Sequence, residues 1–543
     1  MRRSGATESE QIVKLNLLPH TSAMSRLRRA AHSVASGYVL LAATAVYALA
    51  SLPLALHYLS KERFGLWGLM ASIGGYLTLI DLGMSGSVAR LLIDHKDDKD
   101  KGTYGSLIQT GWLVLVVQGT LIFVAGFILA SWLSTLLAIE PDLRTEFILL
   151  LRWQSAALAI GFVTRIFSHL LQAHQRIDVS NYISIAILGF NFVVLWSFFH
   201  AGQGVFSLAW STLFSNVISG LVSFAVCWRL GLLPAAGAWG RSSWALFKEI
   251  FDYGKDIFLV AVGNQLIMAS QTMIITRQLG LAASGTWYAA TRTFGLLYQA
   301  LWRIWDVSAP AFSEMIVRHE QSILRERYKA IVVVTASVSG FAAVSFALCN
   351  SLFITVYTEW TGNRIEWPPF NDVLLGVWMI VMAILHCHNC FVLVTKRVGF
   401  MRYVYFVEGV VFVTAAFLTA KHGGLPAIII CSFICSTLFS GAYGVWRTSR
   451  YFDLTITEVG LVWMRPMIRM LAFLVPMALL VWWLFKSAES PLVRLALHLL
   501  ISASFGFYLF LRYGLPDTFQ KELLQRAPRG INPLLRLVFG PAH

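Results

Sequence analysis

Apolar runs of roughly 17–30 residues, nearly free of charge, follow one another along most of this chain. A run of about 20 apolar residues, wound as a helix, matches the hydrocarbon core of a bilayer. In lipid every backbone N–H and C=O must be satisfied within the structure, and a helix does this segment by segment. About fourteen such runs can be drawn, the first over 36–59, the second over 64–93, the seventh over 257–279, the eighth over 285–315 and the last over 493–513. The expected fold is therefore all-α, a polytopic membrane protein of about fourteen transmembrane helices. A water-soluble fold does not suit a chain that is 57% hydrophobic and 13% charged, against roughly 45–50% and about 25% in soluble domains.

The formal net charge is +15, but the basic residues sit between the apolar runs. Arg90, Lys96, Lys248, Arg325, Arg327, Arg447, Arg450, Arg465, Arg512 and Lys521 all fall on one side when the spans are threaded in order. The positive-inside bias accounts for this without nucleic acid and puts both termini in the cytoplasm. The six cysteines lie almost wholly in apolar segments, which argues against a disulfide framework. The first run begins near Ala35 after a long polar stretch and exceeds the length of a cleavable signal core, so it reads as the first transmembrane helix.

A polar stretch near the middle divides the chain. The expected organisation is a cytoplasmic N-terminal segment over 1–34, an N-lobe of helices 1–6 over 35–231 and a cytoplasmic linker over 232–256. A C-lobe of helices 7–12 over 257–448, helices 13–14 over 449–516 and a basic cytoplasmic tail over 517–543 follow. An internal repeat supports two pseudo-symmetric six-helix lobes. Leu59, Gly65 and Trp67 recur at one constant offset as Leu279, Gly285 and Trp287, in each case where the first two helices of a half join.

The run Arg63-Phe64-Gly65-Leu66-Trp67, followed by Tyr76-Leu77-Thr78-Leu79-Ile80-Asp81-Leu82-Gly83-Met84, resembles the N-terminal signature of polysaccharide exporters and O-antigen flippases. The start of the second half, with Tyr253-Gly254-Lys255, Gly280, Trp287-Tyr288-Ala289-Ala290 and Pro310, resembles the same family. Its superfamily also holds multidrug and toxin extrusion proteins and lipid II flippases. The resemblance implies two six-helix bundles about a central cavity that opens alternately to the two sides. It also implies a cargo of lipid-linked oligosaccharide. Many relatives carry an acidic-basic pair in the first helix of the second half; the matching stretch Ala269-Ser270-Gln271-Thr272-Met273 is uncharged here.

Charge in the hydrocarbon costs about 2.5–3.5 kcal/mol on insertion scales, so polar groups within spans need a reason. Arg292, Gln299, Arg303 and Asp306 in the eighth span fall within about 60° of one helix face. One reading is a cationic cavity wall for a pyrophosphate, which suits the paired donors of arginine. The other is packing, with Arg303 and Asp306 neutralising each other. Asp81 shares a face of the second span with Gly74, Thr78 and Ser85. It could pair with Arg303 or Arg292, take a coupling proton, or simply end the apolar helix. Gln265 and Gln271 in the seventh span could meet sugar hydroxyls or bond helix to helix. The run His386-Cys387-His388-Asn389-Cys390 places its ligating groups on different sides of one helix, so no metal is expected.

No phosphate-binding loop of the Gly-x-x-x-x-Gly-Lys-Ser/Thr kind is present, which argues against direct ATP drive. No hydrolase constellation occurs either, and neither catalysis nor a cofactor is expected. The leading reading is a non-enzymatic flippase of the cytoplasmic membrane for a lipid-linked oligosaccharide of the polyprenyl pyrophosphate type. Arg292, Arg303, Gln299, Asp306, Asp81, Gln265 and Gln271 are its candidate binding residues. Membrane lipid and glycosyltransferases or a polymerase are its expected partners. A cation-coupled multidrug exporter and a non-transporting scaffold of a polysaccharide synthase are the alternatives.

Overall fold

A computed structural model describes residues 20–96, 102–359, 361–395, 399–487, 490–528 and 532–539. The expected N-terminal segment and tail thus lie partly outside the described residues. The described residues form helices and their connections, with no strand.

Among the described residues, twelve segments are long and apolar enough to cross a membrane. Helix α1 is His20–Tyr58, and α2 is Lys61–Leu77, followed by a 3-10 turn Thr78–Asp81 and α3, Met84–His95. Then come α4 Thr103–Leu136, α5 Pro141–Ala173, α6 Ile177–His200 and α7 Phe206–Arg229. The second half begins with α8 Trp244–Met268, α9 Ser270–Leu279, α10 Leu281–Ala290 and α11 Arg292–Val317. It continues with α12 Gln321–Glu359, α13 Pro369–Val394, α14 Met401–Ser436, a π turn Thr437–Gly441 and α15 Ala442–Phe452. The chain ends in α16 Arg465–Leu484, α17 Pro491–Leu509, α18 Asp517–Arg526 and α19 Asn532–Phe539.

The stretch Met401–Phe452 is 52 residues long, more than twice what one crossing needs. It turns back at Gly424, whose φ of 59° and ψ of −150° are not helical. The Thr419 hydroxyl lies 3.5 Å from Cys431 Sγ, and the Ser440 N–H donates to Glu408 Oε2 at 3.0 Å. Such pairs close only in a hairpin, so this stretch crosses twice. Counting it as two, and adding the polar α10–α11 pair, brings twelve segments to fourteen.

Three crossings are broken in ways that bear on the site. The second breaks between α2 and α3, where Leu82 and Gly83 both adopt positive φ, 50° and 75°. Asp81 Oδ1 caps the new helix by accepting from the Ser85 N–H at 3.1 Å and the Ser85 hydroxyl at 2.5 Å. Gln118 Nε2 of α4 donates to the Asp81 carbonyl at 2.8 Å and fixes the break. The seventh breaks at Ala269 and the eighth at Thr291. The second half of the expected linker is not a loop: α8 starts at Trp244 and runs unbroken into the seventh span. Its first half is tied to the start of α4, where the Tyr104 hydroxyl donates to the Leu232 carbonyl at 2.9 Å and the Arg241 N–H to Ser106 Oγ at 3.0 Å.

In the first half α4, α5 and α7 pack in series, with α6 between α7 and α1. In the second, α14 packs along α8 and α13 along α12. Helices α16 and α17 attach to α12, burying Leu348, Cys349, Ala478 and Leu495. Large apolar side chains such as Trp112, Trp196, Trp228 and Trp483 cover the outside, as expected of a surface facing lipid.

Candidate functional site

The two halves meet where the repeated sequence stretches lie. Helix α2 crosses α10 so closely that a Cβ on Gly65 would strike the Leu281 carbonyl. Reciprocally, a Cβ on Gly285 would come within 2.9 Å of the Lys61 carbonyl, and one on Gly68 within 2.8 Å of the Tyr288 side chain. Gly65 matches Gly285 and Lys61 matches Leu281 at the repeat's own offset. The contact is therefore self-complementary about a pseudo-two-fold axis. Small residues are what let two helix backbones approach this closely in lipid. The connection before α13 reinforces the closed end: Asn363 Nδ2 donates to the Leu56 and Leu59 carbonyls at 2.7 and 3.1 Å.

Below this crossing, α11 presents the polar stripe. Its buried face is Phe294, Leu301, Trp305 and Phe312. Arg292, Gln299, Arg303 and Asp306 lie on the opposite face; the last three are exposed and Arg292 is half-buried. Arg292 Nη1 donates to the Tyr288 hydroxyl at 3.1 Å. Its charge reaches Tyr47 of α1, across the boundary between the halves, and Tyr357 of α12. No carboxylate pairs with it among the described residues. Arg303 and Gln299 likewise make no polar contact there.

Asp306 does not neutralise Arg303. It pairs with His386 of α13, Nε2 to Oδ1 at 3.2 Å. The His386 ring stacks on Trp302 at 4.0 Å. His388 points elsewhere, with its Nδ1 2.8 Å from the Tyr328 hydroxyl and 3.1 Å from Thr448 Oγ1. The His-Cys-His-Asn-Cys run thus serves two separate helix contacts.

Asp81 pairs with neither Arg292 nor Arg303. It caps α3, and the charge within its range is that of Arg165 on α5. Gln271 is buried and donates to Ser432 Oγ of α14 at 3.0 Å, so it bonds helix to helix. Gln265 packs on Gly75 of α2, beside the hydrogen bond between Tyr76 and Ser270. It belongs to the seam between the halves.

The first half contributes polar groups that the sequence alone did not single out. The Tyr47 hydroxyl donates to Asn191 Oδ1 at 2.5 Å, and Asn191 Nδ2 donates to Ser215 Oγ at 2.8 Å. Further in, Arg165, Ser168, Asn216, Ser219 and Ser223 line a pocket of about 240 Å³ between α5 and α7. Arg165 lies over the Phe162 ring at 3.9 Å. Arg165 and Ser168 come from α5, and Asn216, Ser219 and Ser223 from α7. Only the packing of α5 on α7 assembles them, although Ser and Asn recurring on one face of the sixth span is a signal in hindsight.

The sequence matches the model of a family described as polysaccharide biosynthesis protein over residues 57–361, more than half of the chain. The chain belongs to that family. No curated protein matches its sequence. Solved structures share its fold. One is a multidrug resistance transporter of the MATE family, inward-facing, with TM-score 0.63 and 14% identity over 76% of this chain and 95% of the other. The lipid II flippase MurJ, in an inward closed conformation, gives 0.63 and 10% over 88% and 98%. A MOP superfamily transporter from Pyrococcus furiosus, described as having a binding pocket of reverse polarity, gives 0.53 and 14% over 79% and 94%. The family member described here therefore has the two-lobed architecture of these membrane transporters.

Proposed function

We propose that this protein is a flippase that moves a lipid-linked oligosaccharide of the polyprenyl pyrophosphate type across the cytoplasmic membrane, for surface or exopolysaccharide synthesis. The observation that carries the proposal is Arg292. It is an intramembrane guanidinium at the boundary of the two halves, held by Tyr288 and paired with no carboxylate among the described residues. A charge left available in such a place asks for an anionic ligand. Arginine meets phosphate oxygens with two parallel donors, and Arg303, three turns along the same face, extends the cationic wall. Gln299 and the Tyr47–Asn191–Ser215 line supply neutral donors and acceptors suited to sugar hydroxyls.

The family description and the fold shared with a lipid II flippase support the same reading. Between α2, α4, α9 and α14 lies a groove of about 890 Å³, lined mainly by apolar side chains, with Tyr76, Thr135, Ser270 and Arg277 among them. It offers an isoprenoid chain a path within the bilayer while the head group crosses. Transport then follows from rocking of the two halves about the α2–α10 crossing, with both termini cytoplasmic. A cation-coupled drug exporter would favour an acidic wall; here Asp306 is already engaged by His386.

The test is complementation of a deletion strain. Wild type restores polysaccharide at the cell surface, and Arg292→Ala, produced at equal level in the membrane, does not. A deletion strain with normal surface polysaccharide would overturn the proposal.

A further inference from the structure

Among the described residues, the most enclosed acid of the second half is not in the stripe. Asp372, in the first turn of α13, is fully buried. Its Oδ1 accepts from Trp367 Nε1 at 2.6 Å and from Asn350 Nδ2 at 2.7 Å. Its Oδ2, with Ser351 beside it, closes no hydrogen bond. No cation pairs with it among the described residues.

Asn350 links this carboxyl to the break in the eighth crossing. Its Nδ2 also donates to the Ala290 carbonyl at 3.2 Å, and its Oδ1 accepts from the Thr293 hydroxyl. Thr291 and Arg292 are the two residues between those contacts. Tyr357, which feels the Arg292 charge, lies two turns beyond Asn350 on the same face of α12. The acid is thus hydrogen-bonded, through Asn350, to residues that flank Arg292 at the α10–α11 break.

We propose that Asp372 is a proton-binding site whose state sets the availability of Arg292 to an anion. The inference rests on the reading of Arg292 given above. A buried carboxyl without a counter-ion has two stable arrangements. It carries a proton on Oδ2, or it draws a cation towards itself. With the proton on Oδ2, the charge of Asp372 does not compete for Arg292, and the guanidinium stays available to the anion. With the proton gone, the negative charge of Asp372 pulls on Arg292 through the α10–α11 break and competes with the anion. Proton and anion therefore bind together and leave together. The only bond made or broken is O–H at Oδ2, and the proton comes from water and returns to it.

The groups facing Asp372 are few. Helix α12 presents the Cys349 thiol, which is titratable, together with Asn350 and Ser351. Helices α10 and α11 present the Ala290 carbonyl and the Thr293 hydroxyl. The connection before α13 presents Trp367, while Arg364 and Glu366 in it are exposed.

The experiment is calorimetric titration of the full chain in lipid nanodiscs with farnesyl pyrophosphate, at one pH, in two buffers of different ionisation heat. The difference in heat counts protons taken up on binding. Wild type is expected to take up more than Asp372→Asn, by a margin approaching one proton where the free protein holds Asp372 ionised. Equal uptake with binding intact overturns the proton site and leaves the reading of Arg292 standing. No binding by wild type overturns both. Should Asp372→Asn not fold, Trp367→Phe decides. It removes one donor to the carboxylate and keeps the acid, so proton uptake measured over a series of pH values is expected to differ from that of wild type; an unchanged profile overturns the proposal.

Discussion

Gly65→Ala perturbs the contact on which the two-lobed account turns. The added methyl would meet the Leu281 carbonyl group, with its carbon at 2.8 Å, and the Gly285 nitrogen at 3.3 Å. These are backbone atoms and cannot rotate aside, so α2 and α10 must separate. Overpacking of this kind costs about 1–3 kcal/mol. At about 1.4 kcal/mol per tenfold, the closed state should lose roughly 5- to 150-fold in population against the state in which the helices part. Spin labels at Asp142 and Lys421, both exposed and at this end of the two halves, report the change as a longer distance population in a background without native cysteines. Gly86→Ala is the control, since nothing lies within 4 Å of the Cβ it adds. An unchanged distance distribution in Gly65→Ala, or an equal shift in the control, would refute the crossing as a gate.

Other substitutions separate structure from cargo binding. Gln271→Leu removes the buried bond to Ser432 and should lower stability by about 1–2 kcal/mol, seen as a lower melting temperature, with export per folded molecule unchanged. Glu408→Leu strands the Ser440 N–H that the π turn releases, a cost of about 1–3 kcal/mol by the same measurement. Arg292→Lys keeps the charge but loses the paired donors. Its affinity for farnesyl pyrophosphate should fall about tenfold, against about a hundredfold for Arg292→Ala, corresponding to a charge-assisted hydrogen bond of about 1.5–3 kcal/mol.

How far the sequence could be read depends on whether a feature is local. The spans were legible because hydropathy is a property of each segment. The stripe on α11 was legible because its four residues share one helix face. Within the linker expected over 232–256, the amphipathic run Trp244–Phe258 is the signal of the helix that starts at Trp244. The breaks at Ala269 and Thr291 left no mark, since neither residue is Gly or Pro and the tertiary fold imposes the bend. Asp81 could be read as a partner for Arg292 or Arg303, as a proton carrier or as the end of the apolar helix; its hydrogen-bond partner is four residues away at Ser85. The pairing of Asp306 with His386 and the pocket around Arg165 both join helices remote in sequence, which one-dimensional periodicity does not report.

Translocation in proteoliposomes tests the central claim most directly. The purified chain is reconstituted with a fluorescent polyprenyl-pyrophosphate glycan, and the label exposed on the outer leaflet is quenched over time. The account predicts protein-dependent movement of the lipid between leaflets, slowed by about tenfold or more in Arg292→Ala. Equal rates for wild type and Arg292→Ala, or for vesicles with and without protein, would contradict it.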